Sequence, residues 1–241
     1  MRIFLAGATG VIGRRLTPLL ALMGHDVTGT TRSPEKAAQI EALSAYPVVA
    51  DVFDADALAG AVIAARPDVV IHQLTDLPSA PGTPGYEDAQ RRNVRLRIEG
   101  TRNLMAAAQA AGVKRVIAQS IAFVYAPGEG ARTESDPLDT SAQGIRALTV
   151  QGVTALEEAV LHAPNIDGLV LRYGYLYGPG TWYEKPPRPP ALHVVAAAHA
   201  ALLAATRGAR GVYNIAEDDG AVSIEKARAA LGFDPAFRLD H

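Results

Sequence analysis

A short uninterrupted apolar run, Ile3 to Ala6, is followed by closely spaced glycines and then by apolar residues at helical spacing over 11–23. An apolar run without polar interruption suits a strand covered on both faces, as in a parallel sheet. The alternation recurs along the chain. Further strands are predicted over 25–31, 47–50, 68–72, 113–120, 167–171 and 212–215, and helices over 35–43, 55–65, 86–111, 141–162, 194–205 and 223–231. Strands that take turns with helical segments form βαβ units on a parallel sheet. The expected fold is α/β, a doubly wound parallel sheet of six or seven strands in the initial order 3-2-1-4-5-6. Residues 1–172 are expected to form a nucleotide-binding domain, and residues 173–241 a small C-terminal lobe packed on it with a last strand and helix.

The chemistry starts in the first turn, within MRIFLAGATGVIGRR. Gly7 permits a tight turn off the strand, Gly10 lets backbone approach a pyrophosphate, and Gly13 lets the helix pack closely on the sheet. The helix start also aims unpaired N–H groups at an anion. Gly7, Thr9, Gly10, Val11, Ile12 and Gly13 are therefore the expected phosphate-binding loop of a Rossmann dinucleotide site. A glycine-rich turn without ligand is the commoner meaning of a lone triad, but here strand, loop and helix occur in order. The spacing is G-x-x-G-x-x-G, and GATGVIGR resembles the short-chain dehydrogenase/reductase superfamily, in its extended and atypical branch that includes NAD-dependent epimerases and dehydratases. EGTRNLMAAAQAAGVKRV and LRYGYLYGPG resemble later segments of the same superfamily.

Cofactor choice is set where the second strand ends. NAD enzymes usually place a carboxylate there to accept from the ribose 2′-hydroxyl. Thr30, Thr31, Arg32 and Ser33 stand there instead. With no acid to repel a 2′-phosphate, and with Arg32 able to pair with it, NADP is the better fit, with NAD as the alternative. A solvated loop arginine is the bland reading of Arg32. The resemblance implies that Asp51, with Val52 beside it, contacts the adenine, although an Asp at a strand end is often only a helix cap. It also implies a backbone contact from Gln73 and Leu74 after the fourth strand. His72 reads as a structural strand-end histidine, residues 76–85 as a loop over the site, and arginines 91, 92, 95, 97 and 102 as a solvated helix face.

The resemblance places a substrate-binding hydroxyl just past the fifth strand, and the register puts it on Ile121, with Ser120 one residue early. Its Tyr-x-x-x-Lys pair uses an ammonium to lower a phenol's pKa for proton exchange with substrate. No such pair exists here: the four lysines, Lys36, Lys114, Lys185 and Lys226, follow Arg32, Ala110, Thr181 and Val222 at that spacing. The matching positions are Thr149 and Val153. Ser120 and Tyr125 remain as candidate catalytic groups. The reading is an NADP-dependent oxidoreductase of a small carbonyl or enone substrate; a non-catalytic NADP-binding redox sensor is the alternative, and a nucleotide-sugar epimerase or dehydratase a third.

Composition limits the partners. A net charge of -2 and no long basic run disfavour nucleic acid and anionic membrane. The chain has no cysteine, so disulfides and thiolate chemistry are absent. The first apolar run meets Gly7 too soon for a signal peptide, and no stretch has the length of a membrane helix, so a cytoplasmic location is expected. A homodimer through helices 86–111 and 141–162 is expected from the resemblance, with Ala106, Ala107, Ala108, Ala110 and Ala111 permitting close helix approach.

Overall fold

The structure, a computed structural model, describes residues 1–77 and 82–239. Its first half runs β1 (Arg2–Ala6), α1 (Gly13–Leu22), β2 (Asp26–Thr31), a 3-10 turn (Pro34–Lys36), α2 (Ala37–Glu41), β3 (Tyr46–Val49), α3 (Ala55–Ala65) and β4 (Val69–His72). The second half runs α4 (Tyr86–Arg95), a π-helical segment (Leu96–Gly100), α5 (Thr101–Ala110), β5 (Arg115–Ile121), α6 (Gly144–Leu161) and β6 (Asp167–Tyr173). It ends with β7 (Tyr175–Tyr177), β8 (Ala191–His193), α7 (Val194–Ala204), β9 (Gly211–Ile215) and α8 (Glu225–Leu231).

Seven parallel strands form the main sheet in the order β3-β2-β1-β4-β5-β6-β9. Alternation along β1 builds both faces of this sheet. Ile3 and Leu5 enter the core shared with α1 and α7, whereas Phe4 and Ala6 enter the core shared with α3, α5 and α6. Each fully buried large side chain there contributes roughly 1.5–3 kcal/mol. Asp54 starts α3 by accepting from Ala57 N at 3.0 Å, which satisfies one free donor of the first turn. β9 joins the main sheet beside β6, and α7 supplies the core beside α1, so among the described residues only the β7–β8 ladder lies outside the sheet.

The helix expected over 86–111 is interrupted by the π-helical turn Leu96–Gly100. Five residues per hydrogen-bonded step accommodate an extra residue and rotate the helix beyond it. Arg97 is buried, with 6% exposure, one turn beyond the buried Asn93 and Val94, and does not belong to the solvated helix face expected for it. Ala107 and Ala108 are buried against Leu58 and Val62 of α3. Their small size is thus used within this chain. Residues 78–81 of the loop expected over the site lie outside the described residues. Among the described residues no helix is long and apolar enough to cross a membrane.

Candidate functional site

Parallel pairing brings the carboxyl ends of β1, β4, β5 and β6 to one edge, where a doubly wound sheet binds its ligands. Gly7 leaves β1 with φ +94°, and a Cβ on it would lie 2.8 Å from the Gln73 carbonyl oxygen. A Cβ on Gly13 would lie 2.2 Å from Gly7 O and 2.7 Å from Ala8 O, so only glycine lets α1 start this close to the strand. Gly10 is exposed, and its N–H donates to Gly7 O at 3.0 Å. Thr9 and Val11 are half-buried beside it and Ile12 is buried. The N–H groups of Thr9, Val11 and Ile12 have no partner among the described residues. Unpaired donors at the positive end of a helix, beside backbone that carries no Cβ, fit a pyrophosphate.

Thr30 Oγ1 accepts from Gly7 N at 3.3 Å, tying β2 to this loop. Arg32 stands at the end of β2, exposed and without hydrogen bond or ion pair among the described residues. Asp51 is also exposed, with Oδ1 accepting from Phe53 N at 3.0 Å. The carbonyl of buried Val52 accepts from Asn103 Nδ2 at 3.0 Å. Past β4, Leu74 N donates to His72 Nδ1 at 3.2 Å, and Leu74 O accepts from Gln119 Nε2 at 2.7 Å. Gln73 Nε2 donates to the Tyr173 hydroxyl at 3.2 Å, and Gln73 Oε1 is buried without a partner.

His72 is structural in this arrangement. Its Nδ1 accepts from Leu74, so Nε2 carries the proton and donates to Thr101 Oγ1 at 2.9 Å. Burial, and then the charge of Arg97, pull its pKa from 6.5 down to about 4. Unfolded chain therefore binds a proton near pH 6.5 that the folded chain refuses until about pH 4. Stability falls as pH drops through that window, by up to roughly 1.4 kcal/mol per unit for this group. His72→Gln is expected to remove that part of the slope, as urea unfolding at about pH 7 and about pH 5 would measure.

The two catalytic candidates sit in one buried network. Ser120 Oγ donates to Glu157 Oε1 at 2.6 Å. Arg172 binds the same carboxylate through Nε at 2.9 Å and through a second nitrogen at 2.6 Å. Arg172 also donates to the Tyr125 hydroxyl at 2.7 Å, and that hydroxyl donates to Asn214 Oδ1 at 2.6 Å. Burial pulls the Arg172 pKa down, but Glu157 and Tyr125 outweigh it and hold the guanidinium above its ordinary value. Burial raises the Tyr125 phenol, with Arg172 opposing. Both hydroxyl protons are committed to acceptors. On α6, Thr149 turns its hydroxyl back to Ile145 O at 3.0 Å and Val153 is fully buried, so neither position carries an acid or a cation.

Two features escape sequence reasoning. Arg97 makes no hydrogen bond or ion pair among the described residues; burial lowers its pKa to about 10, with Glu157 opposing. Arg97 shares a face with the buried Val94 and Asn93, three and four residues before it, and that helical spacing is the signal that could have placed it inward. The second is a cleft of about 350 Å³ beyond β5 and β6, lined by Phe123, Tyr125, Tyr175, Arg132 and Arg188 among others. Arg146 ties down the backbone of two of its lining residues, pairing with Asp139 at 2.7 Å and donating to Phe123 O and Tyr125 O. Phe123 stacks on Tyr175 with centroids 3.9 Å apart, and Arg188 donates to the Tyr175 hydroxyl at 2.6 Å. The strand β7 that presents Tyr175 is three residues long, too short for periodicity to reveal.

Fold and phosphate loop together define a dinucleotide-binding protein of the Rossmann class. A family model described as NAD(P)H-binding matches residues 7–184, and the chain belongs to that family. It is 46% identical over 187 residues to a 3-diazoavenalumate denitrifying reductase of a Streptomyces species, covering 77% of this chain and 59% of that protein. It is 31% identical over 183 residues to a ketoreductase of Stigmatella aurantiaca that acts on a farnesylated dihydroquinoline oxide, covering 74% and 51%. The chain thus spans about half to three fifths of these curated relatives. Among solved structures, the UDP-glucose 4-epimerase of Thermotoga maritima matches with a TM-score of 0.78 at 17% identity, over 99% of this chain and 94% of that one. The Thermus thermophilus UDP-glucose 4-epimerase bound to NAD matches with a TM-score of 0.77 at 18% identity, over 99% and 95%. The chain therefore shares its fold with these two epimerases.

Proposed function

We propose that this chain is an NADPH-dependent reductase whose hydride acceptor needs no proton from the protein, with an arenediazonium group as the acceptor. One observation carries the reading: the protons of Tyr125 and Ser120 are committed to Asn214 and Glu157, and Thr149 and Val153 replace the tyrosine and lysine. Carbonyl reduction draws 10² to 10⁴ in rate from a placed acid. A diazonium ion has no such need. Bound NADPH supplies a hydride from nicotinamide C4. On the substrate a C–H bond forms at the ring carbon while the C–N pair leaves with N₂, so cation plus hydride gives neutral arene and nitrogen gas. The diazo substrate and the loss of nitrogen in the Streptomyces relative's name support this acceptor.

The chain's own groups hold and orient. The loop Gly7 to Gly13 with its free N–H groups would hold the pyrophosphate, Asp51 and Val52 the adenine, and the Gln73–Leu74 turn the nicotinamide half. Arg32 takes the 2′-phosphate. A charge-assisted pair is worth roughly 1.5–3 kcal/mol, so NADP is expected to bind about tenfold or more tighter than NAD. Calorimetric titration of wild type and Arg32→Ala checks this: the preference disappears in the variant, whereas equal affinities in wild type contradict it.

A second reading has its own observation. The Tyr175 hydroxyl accepts from Arg188 and its proton has no acceptor among the described residues, so it is the one cleft phenol free to protonate a carbonyl or enone. Burial raises its pKa, with Arg188 opposing. The test measures NADPH oxidation on diazotised 3-aminocinnamate and on a panel of aldehydes, quinones and enones, with wild type and Tyr175→Phe. The diazonium reading expects turnover of the diazonium salt and a kcat little changed in the variant. Turnover confined to carbonyls and lost in Tyr175→Phe overturns it. Tight NADPH binding with no oxidation on any acceptor leaves the redox sensor.

A further inference from the structure

The cleft beyond β5 and β6 has a charge pattern that the reductase reading does not use. Among its lining residues are two arginines, Arg132 and Arg188, and no aspartate or glutamate. Arg132 is occupied, paired with Asp136 at 3.5 Å and donating to the Gly130 carbonyl. Arg188 is exposed and uses a single nitrogen, on the Tyr175 hydroxyl at 2.6 Å; its remaining N–H groups have no acceptor among the described residues. Its guanidinium lies over the Tyr175 ring, 4.4 Å from the centroid, and Phe123 lies against that ring at 3.9 Å with planes 10° apart. Phe123, Tyr175 and Arg188 are thus layered in one wall. With one face of the Tyr175 ring covered by Phe123 and the other by Arg188, planar hydrocarbon meets the edge of this layered wall, and a carboxylate meets free guanidinium donors in the fork geometry that binds it bidentately.

We infer that this cleft binds an aromatic carboxylate, with Arg188 as the carboxylate anchor and the Phe123–Tyr175 stack as the platform for the ring. The inference rests on the reductase reading, because it names the substrate class for that same site. It also resolves an electrostatic conflict. A simple arenediazonium cation is repelled by the Arg188 guanidinium, which has no acidic partner among the described residues, whereas a carboxylate on the same molecule cancels its charge and gives Arg188 a partner. A substrate with diazonium at one end and carboxylate at the other therefore fits better than either group alone.

The probes are cinnamate and its neutral amide, cinnamamide, titrated calorimetrically into the protein saturated with NADP. No hydride moves in this experiment, so its failure is separable from failure of the reductase reading, which is judged by NADPH oxidation. Cinnamate is expected to bind at least tenfold tighter than cinnamamide. Arg188→Gln is expected to abolish that difference while leaving cinnamamide affinity within about twofold, and Phe123→Ala to weaken both ligands together. Arg188 is exposed and holds no core contact, so the variant folds. Equal binding of acid and amide by wild type overturns the inference, as does failure of both to bind. An unchanged preference in Arg188→Gln that is lost in Arg132→Gln overturns the assignment of the anchor.

Discussion

Glu157→Ala is expected to lower the stability of the fold by about 3–5 kcal/mol, the usual cost of leaving one member of a buried ion pair alone. Glu157 and Arg172 are each about one-twentieth exposed, and their carboxylate and guanidinium meet through two nitrogens. Removing the carboxylate strands Arg172 inside the sheet edge, takes the acceptor from Ser120, and deprives Arg97 of its opposing charge. The damage also spreads along the chain of bonds through Tyr125 to Asn214, whose Nδ2 holds Arg132 O at 3.3 Å and Ser223 O at 3.1 Å. For a chain of this size the loss corresponds to a melting point lower by on the order of 10 °C. Glu157→Gln keeps acceptor and shape and loses less. Calorimetric melting of both variants checks this, and a Glu157→Ala protein within about 1 kcal/mol of wild type contradicts the network's role.

Gly13→Ala is expected to remove cofactor binding and to destabilise together. The new methyl would stand 2.2 Å from Gly7 O, a backbone atom that cannot swing aside, so α1 must shift off β1 and carry its free N–H groups with it. Overpacking of this kind costs about 1–3 kcal/mol or more. Gly10→Ala provides the contrast. A Cβ there meets only Gly7 O at 3.2 Å, and Gly10 is exposed, on the side proposed for the pyrophosphate. It is expected to leave melting nearly unchanged while weakening NADPH by about tenfold or more, the worth of one or two lost phosphate contacts. Titration beside melting separates the two. Equal NADPH affinity in Gly10→Ala and wild type contradicts the placement of the phosphates.

The sheet was legible because its signals are local. Ile3 to Ala6 form an apolar run, Gly7, Gly10 and Gly13 sit at fixed spacing, and these alone imply the strand, turn and helix start that β1 and α1 display. Strand order followed from the doubly wound dinucleotide-binding pattern that this turn and the strand–helix alternation imply. The catalytic edge was not legible to the same degree, because its geometry depends on contacts far apart in sequence. Tyr125 is 89 residues from Asn214 and 47 from Arg172, and nothing around Tyr125 announces that both will claim its hydroxyl. Arg97 reads as one of several surface arginines by its charge, although its spacing from the buried Asn93 and Val94 sets it on the inner face. Tyr175 reads as one of three tyrosines in LRYGYLYGPG, and only its stacking on Phe123, a residue of another connection, marks it out.

The measurement closest to the central claim traces hydrogen from cofactor to product. Diazotised 3-aminocinnamate is reduced once with NADPH dideuterated at C4 in ordinary water, and once with ordinary NADPH in deuterium oxide. Mass spectrometry and proton resonance of the cinnamate formed then locate the label. The account predicts one deuterium, on the ring carbon that carried nitrogen, from the labelled cofactor and none from the labelled solvent. Deuterium arriving from solvent with none from the cofactor would contradict it.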